Sequence, residues 1–467
     1  MTGWRVKPLR DIVAHAGRRP LKRTLGAVDL TLLGVGSIIG AGVFVLIGVA
    51  AQKAGPAVGL AFVLAGLVSL FAALAYAEMA AMAPVAGGAY TFAYASLGEA
   101  LAWLVGWNLV LELAVSAAAV ASGWSGYVVG LAGQLGFDLP AVYATVPRLG
   151  GVADFPAMAI VLAVSLLLAL GTRRSALLNS IMVLVKIAVL MIFLWLAAPA
   201  MAPANWQPFL ALGWFERISG GETIGVLAAT AVVFFAYVGV HTLASTAEEA
   251  RRPNRDLPLA LLAAILLCIL VFAVVGLVST GVVRWFDLGL SKEPLALVLR
   301  AAHQPVAAGV VAIGALAGLT AVLLTLLYGL SRLAFVMARD GLLPPAFATL
   351  HGTRGTPHVV TLAGGAVVAL VAGLLPLDKI VELSNIGTLF AFLSVAVGAL
   401  VLRRTHPEYP RPFRCPALPL VAGLAILGCG GLMLLLPVDT WWRFLGWSLL
   451  GGLVYLGYGR RRSDLAG

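Results

Sequence analysis

The chain runs to 467 residues, 61% hydrophobic and only 11% charged, with 31 Lys/Arg against 20 Asp/Glu for a net charge of +11. That balance leaves too little polar surface for two or three soluble domains. The three cysteines, Cys268, Cys415 and Cys429, have no motif spacing, which points to neither disulfides nor a metal site.

From the N-terminus, Met1 to Arg23 carries seven Lys/Arg and no apolar core before a small-residue cleavage site, so it reads as cytoplasmic and not as a cleaved signal peptide. The first span then serves as an uncleaved signal anchor. About 20 apolar residues of helix cross ~30 Å of hydrocarbon, and such stretches predict twelve spans near residues 28–50, 57–82, 98–130, 154–171, 176–197, 223–247, 257–282, 305–335, 357–376, 382–404, 416–437 and 441–459. Turn signals separate them, among them Ala54-Gly55-Pro56, Pro253-Asn254, Leu343-Pro344-Pro345 and Pro410-Arg411-Pro412. With the N-terminus inside, 22 of the 31 Lys/Arg fall on the cytoplasmic side, eight fall outside, and Lys186 lies within a span. This is positive-inside asymmetry, so the basic charge belongs to topology and implies no nucleic-acid partner. The predicted fold is an all-α polytopic membrane protein: a basic cytoplasmic segment 1–27, a transport core 28–404, two peripheral helices in 405–459, and a cytoplasmic tail 460–467.

Spans one and six stand at corresponding places if spans one to five and six to ten are two repeats. The first holds Gly36-Ser37-Ile38-Ile39-Gly40-Ala41-Gly42-Val43-Phe44, and the sixth holds Phe234-Phe235-Ala236-Tyr237-Val238-Gly239-Val240-His241. Glycine costs about 1 kcal/mol against alanine inside a helix, so Gly40 and Gly42 around a single alanine mark a break. Backbone freed at bilayer depth must face protein, water or ligand. Paired interrupted helices in two halves point to a midplane substrate site. The alternative is that Gly36 and Gly40 serve close helix packing.

In chain order, several motifs make the sequence resemble the amino acid-polyamine-organocation superfamily, and within it the cationic amino acid transporter family. They are Gly36–Phe44, Pro84-Val85-Ala86-Gly87-Gly88-Ala89-Tyr90, Gly106-Trp107-Asn108-Leu109-Val110-Leu111-Glu112, Asn179 to Lys186, Phe234–Gly239, Ser245-Thr246-Ala247-Glu248-Glu249, Met337-Ala338-Arg339-Asp340-Gly341-Leu342-Leu343-Pro344 and Arg411-Pro412-Phe413-Arg414. The resemblance implies a 5+5 inverted-repeat core with broken helices one and six, two peripheral helices, and alternating access. It also implies that a substrate α-carboxylate sits on free amides around Ile38, Ile39, Gly40, Ala41 and Gly42. The ammonium group then meets carbonyls of Phe235, Ala236 and Val238, with Tyr237 adjacent. Half-helix ends suit such a zwitterion, an N-terminus attracting the anion and a C-terminus the cation.

Lys186 lies among Val183, Leu184, Val185 and Ile187, where a charged lysine costs at least ~2.5–3.5 kcal/mol. Such an amine is a candidate proton carrier, and by the resemblance it occupies the space of a sodium ion in sodium-coupled relatives. The competing reading is a structural lysine paired with Glu112 or a carbonyl. Glu112 is either that counter-charge or an acid near the substrate. Thr320 either engages the Lys186 region or bonds to its own helix. Glu78, Glu248 and Glu249 read as helix-end or inner-gate charges. His241 stands where the family usually has aspartate, and either tunes coupling or fills volume.

The expected function is secondary active uptake of an α-amino acid by proton symport, with an exchanger or a transporter of another small amine or organocation as the alternative. A channel is remote, because no pore loop, acidic ring or Arg-rich sensor is present. Phosphate-binding loops, metal-spaced His/Glu pairs and His-Glu-x-x-His are absent from the sequence, so neither an enzyme, a cofactor nor ATP binding is expected.

Overall fold

The computed structural model of the chain describes residues 25–82, 88–171, 176–218, 222–240, 243, 250–352 and 355–463, with backbone alone at 176–181 and 253–254. The basic N-terminal segment to residue 24, Pro84 to Gly87, His241, Ser245 to Glu249 and residues 464–467 lie outside the described residues. A helix stands at each of the twelve predicted places. Span one is divided into α1 (Ala27–Ile38), α2 (Ala41–Phe44) and α3 (Leu46–Ala54), and span two is α4 (Val58–Met82). A short α5 (Gly88–Ser96) precedes α6 (Glu99–Gln134), α7 (Phe155–Leu170) and α8 (Ala176–Ala197), which are spans three to five.

In the second half, span six begins with α9 (Val226–Val233) and span seven is α10 (Pro253–Val282). Two short helices follow, α11 (Trp285–Leu290) and α12 (Pro294–Ala301), before α13 (Pro305–Arg339), α14 (His358–Leu374) and α15 (Leu377–Thr405). The last pair is α16 (Leu418–Leu435) and α17 (Val438–Val454). Among the described residues, seven helical stretches are long and apolar enough to cross a membrane, and four shorter apolar helices accompany them. Strand is confined there to one two-residue hairpin.

The helices pack in a pattern that repeats five spans on. Spans two and seven (α4, α10) pack together, as do three and eight (α6, α13) and four and nine (α7, α14). Span one against seven is matched by six against two, and span five against eight by ten against three. Pairings that exchange in this way are what a pseudo-two-fold axis between two halves produces. Spans one and six thereby lie at the centre, while α16 covers α4 and α15, and α17 covers α6 and α15.

At the predicted cytoplasmic face the end of α4 is fastened to the end of α15. Glu78 is 1% exposed and accepts from both Nε and Nη2 of Arg403, the Nε bond being 3.1 Å. The Arg411 guanidinium lies 3.5 Å away, and the Cys415 amide donates to the same carboxylate at 2.7 Å. Arg411 also donates to the carbonyls of Leu402, His406, Pro407 and Tyr409, so the Arg411–Arg414 motif shapes the chain between α15 and α16. Burial and the neighbouring Glu78 charge push the Cys415 thiol up to about 11, which keeps it protonated at neutral pH.

A bidentate pair around a buried carboxylate is costly to break, because the survivor stays desolvated. Arg403→Ala is expected to cost about 2–3 kcal/mol, read as a lower melting temperature of the purified protein in detergent, with Arg403→Lys recovering part of it. An unchanged melting temperature would contradict this role.

Candidate substrate site between two helix breaks

The first break falls between α1 and α2. The Ile39 amide still donates to Val35 O at 2.8 Å, and regular bonding resumes only where Phe44 N reaches Gly40 O and Val45 N reaches Ala41 O. The first amides of a helix lack intrahelical partners. Among the described residues, those of Gly40, Ala41, Gly42 and Val43 make no bond across the gap. This moves the free donors from the expected Ile38–Gly42 to Gly40–Val43, since α1 consumes the amide of Ile39. Tyr127 caps the far end, its hydroxyl donating to Phe44 O at 2.7 Å.

The second break follows α9. Phe234–Tyr237 tighten into a 3-10 turn, and Val238 N donates to Phe235 O at 3.2 Å. The Ala236 carbonyl receives no backbone amide among the described residues. Asn385 on α15 donates to Val232 O at 2.8 Å, which holds the end of α9 in place.

The two breaks touch. A Cβ on Gly42 would lie 2.5 Å from Ala236 Cα, and one on Gly239 would lie 2.8 Å from Ile38 N and overlap the Ser37 carbonyl. Only hydrogen fits at either position, which is the physical reason for glycine there.

Around this crossing is a cavity with about 50 Å³ open to water centres, room for a few water-sized groups. Of the predicted residues it brings together Ile38, Gly40, Ala41, Gly42, Phe235, Ala236, Val238 and Lys186. The sequence reading missed Ser116, Ala321, Val322, Thr325 and Leu326 in the wall. Periodicity could have found some of them, since Ser116 follows Glu112, and Thr325 follows Ala321, by one helical turn.

Polar side chains in the wall are already engaged. Ser37 and Thr325 bond to Leu33 O and Ala321 O of their own helices, and Ser116 shares a 2.6 Å bond with Ser384. Lys186, 3% exposed, donates to Gly36 O at 2.9 Å on the last turn of α1. The backbone of the two breaks therefore adds free amides and a carbonyl to a wall whose side chains each already hold a partner within the fold.

Other predicted residues stand back from the cavity. Ile39 is buried and absent from the described wall. Glu112 is fully buried on α6 and makes no ion pair with Lys186 among the described residues. Its Oε1 accepts from Thr388 at 3.1 Å and Ser116 at 3.4 Å, while Oε2 has no partner. The expected counter-charge role is thus replaced by contact with the cavity wall through Ser116. Thr320 donates to Leu316 O on its own helix and accepts from Trp124, so its hydroxyl does not reach Lys186. Tyr237 turns away and donates to Phe62 O on α4 at 2.8 Å.

An all-helical membrane chain that opposes two interrupted spans across one small cavity has the build of a secondary transporter. The amino acid permease family matches residues 25–454, and the chain belongs to it. It is 43% identical to the branched-chain amino acid permease BcaP of Bacillus subtilis (strain 168), over 99% of this chain and 98% of that protein. The methylthioribose transporter of the same organism is 38% identical over 99% of each. The human cationic amino acid transporter 4 is 37% identical over 87% of this chain and 64% of that protein.

If the contact between the breaks shapes the cavity, Gly42→Val must displace Ala236 and with it span six. This variant is expected to lose ligand-induced thermal stabilisation while still purifying as a monodisperse protein. Undiminished stabilisation would show that the crossing does not form the site.

Proposed function

We propose that the protein imports a neutral α-amino acid with an apolar side chain, coupled to protons, by alternating access. It works in the cell membrane with both termini cytoplasmic and the core at residues 28–404. The observation that carries this reading is the meeting of unspent amides at Gly40, Ala41 and Gly42 with the Ala236 carbonyl around one cavity. Opposite half-helix ends receive the two poles of a zwitterion without a charged side chain. Among the described residues the wall has no carboxylate to receive a cationic side chain, and Ile38, Val238, Val322 and Leu326 surround the cavity with apolar surface.

Lys186 supplies the coupling. A charged amine at this depth has one neutral acceptor, Gly36 O, and that carbonyl belongs to the turn that ends at the substrate's amides. Its proton strengthens the grip on α1, and its loss weakens that grip, so protonation and substrate binding act on the same break. Glu112 contributes through Ser116, which joins the acid to the cavity wall. Resemblance to a branched-chain permease supports a branched apolar substrate. The methylthioribose relative makes a neutral thioether sugar the competitor to test.

Two measurements check this. In a thermal-shift screen, leucine, isoleucine or valine at a hundred times its Kd stabilises the protein by about 2.7 kcal/mol, whereas arginine, lysine and methylthioribose leave it unmoved; a shift with arginine or methylthioribose alone would overturn the substrate class. In proteoliposomes with an inward proton gradient, Lys186→Met is expected to lower accumulation at least about tenfold, the effect of ~1.4 kcal/mol of lost coupling, while counterflow persists. Wild-type accumulation by that variant would make the lysine structural and place proton coupling elsewhere, whereas a wild-type protein that shows counterflow but no proton-driven accumulation would be an exchanger.

A further inference from the structure

The segment following α17 continues the helix through Tyr455–Gly459 and Arg460–Arg462 at the predicted cytoplasmic face, where Tyr455 and Ser463 share Glu99 with Tyr94 of α5. The last helix is fixed to α6 by stacked Trp103, Trp107 and Trp447, with Trp107 and Trp447 each donating to the other's carbonyl. Trp103 donates to Gly451 O at 2.8 Å, and Asn108 reaches Ser448 at 3.2 Å. This zipper delivers residues 455–463 to Glu99, the first residue of α6, which is 1% exposed. The Tyr455 hydroxyl donates to Glu99 at 2.8 Å and the Ser463 hydroxyl at 2.6 Å. Arg462 lies against Gly341, whose φ of +77° and lack of Cβ admit the Arg462 carbonyl.

The same carboxylate holds α5. Tyr94 donates to Glu99 at 3.1 Å, and Tyr90, one turn earlier, donates to Asp340 at 2.8 Å beside Gly341. On the other side of α5, Phe92 packs edge-on against Tyr76 with ring centres 5.4 Å apart. Tyr76 packs on Phe392, which in turn packs on Phe234. Phe234 is the residue before Phe235 of the cavity wall. An unbroken set of contacts thus runs from Ser463 through α5 to the second helix break.

We propose that residues 455–463 are a latch that holds α5 beneath the substrate cavity and so limits opening toward the cytoplasm. The latch rests on the cytoplasmic placement of the termini proposed above. Two of its hydroxyls donate to one buried carboxylate, so an acid placed at residue 463 replaces a donor and acts against the contact by like-charge repulsion. Releasing the segment takes two hydroxyl donors from Glu99, and α5 loses part of the support that presses Phe92 toward Tyr76.

The test uses Ser37→Cys in the cavity wall as a reporter, labelled by a membrane-impermeant maleimide in inside-out and right-side-out vesicles. The native cysteines are all buried. Adding Ser463→Asp is expected to raise the labelling rate from the cytoplasmic face about fivefold or more, the lower bound of ordinary coupling between sites. Ser463→Ala gives a smaller rise, and Glu99→Gln combined with Ser463→Asp returns the rate toward that of the parent. An unchanged rate in a Ser463→Asp protein of normal melting temperature would overturn the latch, as would a rise that Glu99→Gln fails to reverse. Labelling only from the opposite face would overturn the topology and the latch with it.

Discussion

Everything at the centre of this protein depends on two helix breaks approaching until their backbones touch. Gly42 against Ala236, and Gly239 against the carbonyl of Ser37, leave no room for a side chain between spans one and six. Unpaired amides and carbonyls at bilayer depth are costly unless protein, water or a ligand meets them. Here the crossing collects them around one cavity, whose polar side chains each already hold a partner within the fold. The backbone supplies unpaired amides on one side of that cavity and a carbonyl on the other, an arrangement that is dipolar in the sense a zwitterion requires.

Buried charge is handled by a different rule at each site. Lys186 has a carbonyl for a partner and no carboxylate within ion-pair distance among the described residues, which in the proposed coupling ties its charge state to the hold over α1. Glu78 lies instead in a cage of two guanidinium groups and an amide, an arrangement that stabilises one geometry of the α4–α15 ends. Glu112 stands between these cases, with two hydroxyl donors on one oxygen and none on the other. By the cost of buried charge, a caged carboxylate resists a change of state, and the proposed coupling accordingly falls on the sparsely partnered amine and acid.

Hydropathy and glycine spacing made the spans and both breaks legible in the sequence, because each follows from local chemistry. Lys186 stood out for the same reason, being a lone charge among Val183, Leu184, Val185 and Ile187. Partnerships across the fold were not legible. Nothing near Glu78 in sequence announces Arg403 and Arg411, and Thr320 and Tyr237 are turned from the cavity by bonds to Leu316 and Phe62 that depend on helix rotation. Ile39 was lost to the site because α1 keeps bonding one residue beyond its last full turn. The short helices α5, α11 and α12 escaped because they are shorter than a membrane-spanning stretch and lie between stronger apolar segments. His241 falls outside the described residues, and its place at the family's usual aspartate remains a sequence observation.

The central claim is that opposite backbone ends hold the two poles of one amino acid. An experimental structure of the protein with its stabilising amino acid bound tests this most directly. The account requires the carboxylate within hydrogen-bond distance of the amides at Gly40–Val43 and the ammonium group on the Ala236 side of the cavity, with Lys186 still at the Gly36 carbonyl. A ligand whose carboxylate pairs with Lys186, or one seated away from both breaks, would contradict it.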